Sequence, residues 1–266
     1  MKDLTVAVCI HKPELEKFTR RIELDCKKFG YHFYCYKQYG EANKSALVGR
    51  KECVRHCDTE FIWLVDADDQ ILELGFEPKH DITVFSALKS NGGKLVPNQP
   101  LHPSGQEMED FVIRYPPTWM RIFRTSLVRK SIETYPDFFA IDAEDTCFTY
   151  HAHLLTTDVE YRLDEFYYVY NMKTSSVAGI FDAEKVIAPF NYTEVYKYLP
   201  PLYKVDRDYW VVYRVVISPA FDKIKHRINE LNIQQWPSED FFLEYWQKKR
   251  YRELTNIFNL GKRRHG

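Results

Sequence analysis

The chain has 266 residues, a formal net charge of −1, 45% hydrophobic and 28% charged residues, the profile of an ordinary globular protein with room for one large domain or a domain and an appendage. So balanced a charge gives no global drive toward nucleic acid, and no apolar run reaches the ~20 residues that cross a bilayer. Six cysteines in a chain of this length do not make a disulfide framework. Met1-Lys2-Asp3 leads straight into an apolar strand, unlike a secretory signal, so a cytoplasmic protein with reduced thiols is expected.

The elements follow in chain order. Leu4–Ile10 is a short apolar run and reads as a buried strand. Pro13 opens a helix carrying Leu15, Phe18, Ile22, Cys26 and Phe29 at helical spacing, with Gly30 as its stop. Tyr31–Tyr36 is a second strand, and Asn43 or Ser45 caps a helix through His56. Phe61–Val65, apolar throughout, reads as a strand covered on both faces. Strand, helix, strand, helix, strand opens a doubly wound α/β sheet. Ile82–Leu88 and Lys94–Val96 read as a hairpin around Asn91-Gly92-Gly93. Met120 to Ile132 mixes a short strand with a basic amphipathic helix, Glu144–Leu155 is a helix, and Glu160–Arg162 and Phe166–Tyr170 are two strands. Past about residue 181 the pattern becomes helical and aromatic, which divides the chain into a domain at 1–180 and a helical, basic extension at 181–266.

Charge is uneven along this order. Residues 61–180 hold 18 Asp and Glu against 10 Lys and Arg, while both flanks are net basic. An acidic middle between basic ends suits a cation site bordered by surfaces that meet anions, although solvated faces produce the same balance. Aromatic residues at 16% suit flat contacts with sugars or bases, or simply an aromatic core.

The sharpest feature is Asp66-Ala67-Asp68-Asp69, directly after the third strand. Ligands of open α/β sheets bind beyond the carboxyl ends of the strands. Carboxylates gathered there repel one another unless a cation joins them, and a hard ion such as Mg²⁺ or Mn²⁺ takes one or two carboxylates plus substrate phosphates. Asp66 and Asp68 therefore suit a metal-held nucleotide diphosphate. An acidic turn capping the next element is the plainer alternative. Asp142-Ala143-Glu144-Asp145 opens a later helix, where the helix dipole favours acids. A carboxylate there near the metal would instead serve as the general base that transfer to a hydroxyl requires.

Together these motifs resemble those of the family 2 glycosyltransferases. Arg50-Lys51-Glu52-Cys53-Val54 and Thr59 through Asp69 resemble that family's approach to its D-x-D-D turn, and Trp119 through Arg124 its tryptophan-led strand. Glu144-Asp145-Thr146-Cys147-Phe148 is similar to its E-D-T-x-F helix, and Tyr167 through Asn171 with Ser175-Ser176 to its Y-Y-x-Y tail; the likeness spans about residues 44–178. It implies a GT-A fold, a Rossmann-like open twisted sheet with helices on both faces, and metal-dependent, inverting transfer from a nucleotide-sugar. Asp66 would contact the donor, Asp68 the metal, and Asp69 the donor sugar. Asp145 would be the base, Glu144 would help bind the acceptor, and Trp119 would wall the acceptor site. The chain departs from the family where His11-Lys12-Pro13 follows the first strand and Tyr36-Lys37-Gln38-Tyr39-Gly40 ends the second. The base-reading carboxylate is missing there, so a UDP donor is an assumption.

Lesser candidates are His151 or His153, as a further metal ligand, and Arg50 and Lys173, as partners for diphosphate charge; a helical His is more often a surface or satisfied core residue. Cys53-x-x-His56-Cys57 lacks a second ligand pair and does not read as a zinc clip. Lys248, Lys249, Arg250, Arg252, Lys262, Arg263 and Arg264, interleaved with Tyr245, Trp246, Tyr251 and Phe258, would meet a phosphate backbone or an anionic surface, or form a solvated face. Three functions stay open: a transferase acting on a saccharide or lipid-linked glycan, the same chemistry on a hydroxymethylated base in viral DNA, and a non-catalytic sugar-nucleotide module.

Overall fold

The computed structural model describes residues 3–10, 13–39, 46–91, 93–98, 112, 117–137, 144–171 and 198, all within one compact unit of the chain. Eight strands form one mixed sheet: β1 Leu4–Ile10, β2 His32–Lys37, β3 Phe61–Val65, β4 Gln70–Ile71, β5 Ile82–Asn91, β6 Lys94–Asn98, β7 Arg121–Arg124 and β8 Val159–Asn171. Their order is β2-β1-β3-β7-β5-β8-β4, with β6 paired to β5. β1 pairs β2 and β3 in parallel, whereas β7 runs antiparallel to both β3 and β5.

The helices are α1 Glu16–Phe29, α2 Ala46–Arg55, α3 Thr125–Ser131 and α4 Glu144–His153, with 3-10 turns at Pro13–Leu15 and Thr118–Met120. They cover both faces. β3 alternates as a strand must, so Ile62 and Leu64 meet α2, α3 and α4 through Leu47, Val54, Leu127, Val128 and Phe148. Phe61, Trp63 and Val65 turn the other way, into the cluster where α1 contributes Ile22 and Cys26. Double coverage explains why β3 is apolar throughout. Gly30 ends α1 at φ 76°, a left-handed value that costs glycine nothing, as its place after the helical spacing predicts.

One expectation is corrected. Glu160–Arg162 and Phe166–Tyr170 belong to one strand, β8, joined through a register irregularity opposite Phe85 to Ala87. The polar middle that suggested a break is accounted for by Arg162 bonding Glu160 and Glu165, and by Ser86 Oγ donating to Leu163 O. β4, two residues long, had no sequence signal. The boundary near residue 181 and the helices expected beyond it lie outside the described residues. All six cysteines are free thiols. Cys53 Sγ donates to Val8 O and His56 stacks on Tyr34. No described helix is long and apolar enough to cross a membrane.

Candidate active site

The turn Asp66–Asp69 leaves β3 at its carboxyl end and closes with Asp69 N–H on Asp66 O at 3.3 Å. It is stapled to β8 by two residues. Tyr168 Oη accepts from Asp66 N–H (3.1 Å) and donates to Asp69 Oδ2 (2.6 Å). Asn171 donates its N–H to Asp69 Oδ1 (2.8 Å) and its Nδ2 to Asp68 O (2.7 Å). Asp69, expected at the donor sugar, is therefore turned inward: it is 4% exposed and both carboxylate oxygens are taken by the protein. Loss of hydration pushes its carboxyl up to about 8, with the Asp66 charge adding, against the bonds from Tyr168 and Asn171.

Asp66 keeps solvent contact at the mouth of the turn. Burial raises its carboxyl to about 6; the Arg50 guanidinium opposes this, while Asp145 and Asp68 add to it. Arg50 reaches the site because α2 lies unusually close to β1. A Cβ on Gly49 would stand 1.9 Å from Cys9 Sγ, so only glycine permits this approach. From there Arg50 Nη2 donates to Asp66 Oδ1 at 3.3 Å, and Nη1 lies 2.9 Å from Asp145 Oδ1, an ion pair without hydrogen-bond alignment. The Asp145 Oδ1 atom accepts its hydrogen bond from Thr118 Oγ1 (3.2 Å). Two acidic motifs that the sequence separates by about 80 residues thus meet at one guanidinium.

The remaining candidates divide. Trp119, expected to wall the acceptor site, is 6% exposed and stacks on Tyr168 and Tyr170 at 4.6 and 5.4 Å, with Trp63 Nε1 donating to its carbonyl (2.8 Å). It belongs to the core beneath the site. His151 is corrected as a metal ligand, because its Nδ1 meets Thr134 Oγ1 (2.6 Å) and its Nε2 donates to Tyr198 O (2.9 Å). Burial holds its imidazole below the ordinary value, against the bond to Tyr198 O. Lys173 and the Glu144 side chain lie outside the described residues. Sequence reasoning missed Thr118, Tyr168 and Asn171 as site residues. The last two sat inside the Tyr167-to-Asn171 motif, but nothing there told which of its tyrosines bonds the acidic turn.

Among the described residues no group of three or more His, Cys, Asp or Glu side chains is arranged to hold a metal alone. Asp66 and Asp68 nonetheless fit a divalent ion of the kind that completes its shell with water and substrate phosphate. Burial is the main cause that raises Asp66, and the nearby Asp145 and Asp68 charges add to it; a bound cation would offset that repulsion.

No protein-family model matches the sequence, and no curated protein matches it. Solved structures do match by fold. The 1–349 fragment of S. aureus TarS in complex with UDP-GlcNAc is similar with a TM-score of 0.51 and 16% identity, over 83% of this chain and 75% of that one. The fold is of the GT-A type. Another structure of the same fragment gives a TM-score of 0.49 and 17% identity, over 82% of this chain, which spans 66% of that one. A glycosyltransferase involved in glycosylation of the major capsid of PBCV-1 gives 0.38 and 13%, over 66% of this chain and 95% of that one.

Proposed function

We propose that this protein is an inverting glycosyltransferase that moves a sugar from a nucleotide diphosphate donor to an acceptor hydroxyl on a saccharide or lipid-linked glycan. The observation that carries the reading is the bridge from Asp66 through Arg50 to Asp145, at the carboxyl end of β3 in a GT-A sheet. It sets a donor-side carboxylate and a candidate base on either side of one positive charge. The S. aureus relative was crystallised with UDP-GlcNAc and with UDP, which supports a UDP-sugar as donor.

In this reading Asp66 and Asp68 would hold Mn²⁺ or Mg²⁺, which would supply positive charge to the departing diphosphate. Arg50, at the same place, adds its own charge where negative charge grows. Asp145 takes the proton of the acceptor hydroxyl as the new bond forms, and direct attack from its side inverts the anomeric centre. Asp69, Tyr168 and Asn171 hold the metal-binding turn in shape without touching the donor.

Nucleoside diphosphate release from a panel of nucleotide-sugars, in Mn²⁺ or in EDTA, tests this. Each donor is offered with oligosaccharide, with lipid-linked acceptor and with hydroxymethylcytosine DNA. Metal-dependent release stimulated by a glycan acceptor is the expected result. Stimulation by the DNA alone would move the acceptor class, and the absence of release and of donor binding would remove the reading.

A further inference from the structure

Asp145 has two carboxylate oxygens, and the described residues treat them unequally. Oδ1 receives both the Thr118 hydroxyl at 3.2 Å and the Arg50 guanidinium at 2.9 Å. Oδ2 receives nothing from the described residues, and the side chain keeps 23% of its surface exposed. The guanidinium contributes charge without alignment, so direction comes from the hydroxyl.

The turn that carries this hydroxyl is anchored from several sides. Thr118 is 1% exposed and sits in the 3-10 turn Thr118–Met120, whose first bond runs from Met120 N–H to Pro117 O. Arg121, fully buried in β7, donates its Nη1 to the same Pro117 carbonyl at 2.8 Å. Trp119, next to Thr118, is held by its stack on Tyr168 and Tyr170 and by the Trp63 indole on its carbonyl. Trp63 and Tyr168 belong to the strands that place and staple the acidic turn. One aromatic cluster therefore fixes both the donor-side turn and the turn that carries Thr118.

We infer that Thr118 is a positioning residue for the general base: it holds Oδ1 of Asp145 so that Oδ2 is the atom that takes the acceptor proton. The inference rests on the transferase reading. In the step, the acceptor hydroxyl proton passes to Oδ2 and the hydroxyl oxygen forms a bond to the anomeric carbon. The bond from that carbon to the diphosphate oxygen breaks, and its electron pair leaves with the diphosphate. An acid with a free rotation would present either oxygen, or neither, at the hydroxyl; one hydrogen bond from a rigid turn removes that freedom.

The test compares full-length Thr118→Val, Thr118→Ser and wild type in the donor-release assay, with the thermal midpoint measured for each. Valine keeps the volume and loses the donor, and serine keeps the donor. Expected for Thr118→Val is a loss of about tenfold to a hundredfold in kcat, the effect of one hydrogen bond to a charged group. Donor KM and thermal midpoint should stay near wild type, and serine should restore kcat. Thr118→Ala replaces valine if that variant does not fold. Wild-type kcat in the valine or alanine variant overturns the proposal while leaving the transferase intact. So does an equal further loss when Thr118→Val is added to Asp145→Asn, because the hydroxyl would then act independently of the base. A wild type that transfers no sugar removes the base and the proposal together.

Discussion

The turn after β3 and the first turn of α4 carry similar acidic motifs, yet they are held in different ways. The β3 turn is fixed by direct backbone and side-chain bonds from Tyr168 and Asn171, and one of its three acids, Asp69, is consumed in that fixing. At the α4 turn, among the described residues, Asp145 is oriented by side chains from remote elements, Arg50 on α2 and Thr118 before β7. Damage to the first region should therefore be read in stability and damage to the second in turnover.

The largest separation should come from Asp145→Asn. It removes the proton acceptor and keeps the shape, so kcat should fall by about 10²–10⁴-fold while the thermal midpoint and donor titration stay near wild type. Surviving turnover would take Asp145 out of the base role. Gly49→Ala tests the approach of α2 that delivers Arg50. The added Cβ would lie 2.9 Å from Cys9 Cβ as well as 1.9 Å from its sulfur, so α2 must move outward. We expect about 1–3 kcal/mol of lost stability together with reduced turnover, read by denaturant melts and the same release assay. An unchanged melt would show that the helix adapts.

Tyr168→Phe tests the opposite region. It deprives the Asp66 N–H and the Asp69 carboxylate of a partner in a buried place, at an expected loss of about 1–3 kcal/mol. Donor affinity should weaken as the turn loosens, and a variant as stable as wild type would contradict the staple. The smallest effect sought is in pH. The folded-state carboxyl of Asp69 is raised to about 8, so the folded protein holds a proton that the unfolded chain releases near pH 4. Its contribution is fully present below that lower value and is lost as pH rises toward 8. In EDTA the wild-type thermal midpoint should fall between pH 5 and 8, and Asp69→Asn should flatten that fall. Parallel curves would place the proton elsewhere.

Much of the frame was legible in residue order. The uniform apolarity of Phe61–Val65, the helical spacing from Leu15 to Phe29 and Gly30 after it act over one or two turns of chain, where propensity and burial pattern agree. β8 was less legible because its charged middle satisfies itself through Arg162, Glu160 and Glu165, a pattern that in sequence resembles a loop. The residues that meet at the guanidinium were legible as types and spacings: Asp66 and Asp145 at element ends, and a basic residue at Arg50. Roles among identical residue types were not. Asp66 and Asp69 stand three positions apart, yet one meets Arg50 in partial contact with solvent and the other is closed in by a tyrosine about 100 residues on.

Read alone, the amino-acid order settles where β1, α1, β2, α2 and β3 lie and which carboxylates end up at a strand's carboxyl end, because hydrophobic period and turn chemistry are local. Tertiary structure alone decided that Arg50 joins the two acidic motifs, that Trp119 supports a turn from the core, that His151 is spent on Thr134 and Tyr198, and that Thr118 aims Asp145. Each of these depends on which distant side chain arrives within about 3 Å, and hydrogen bonds and ion pairs act only at that range.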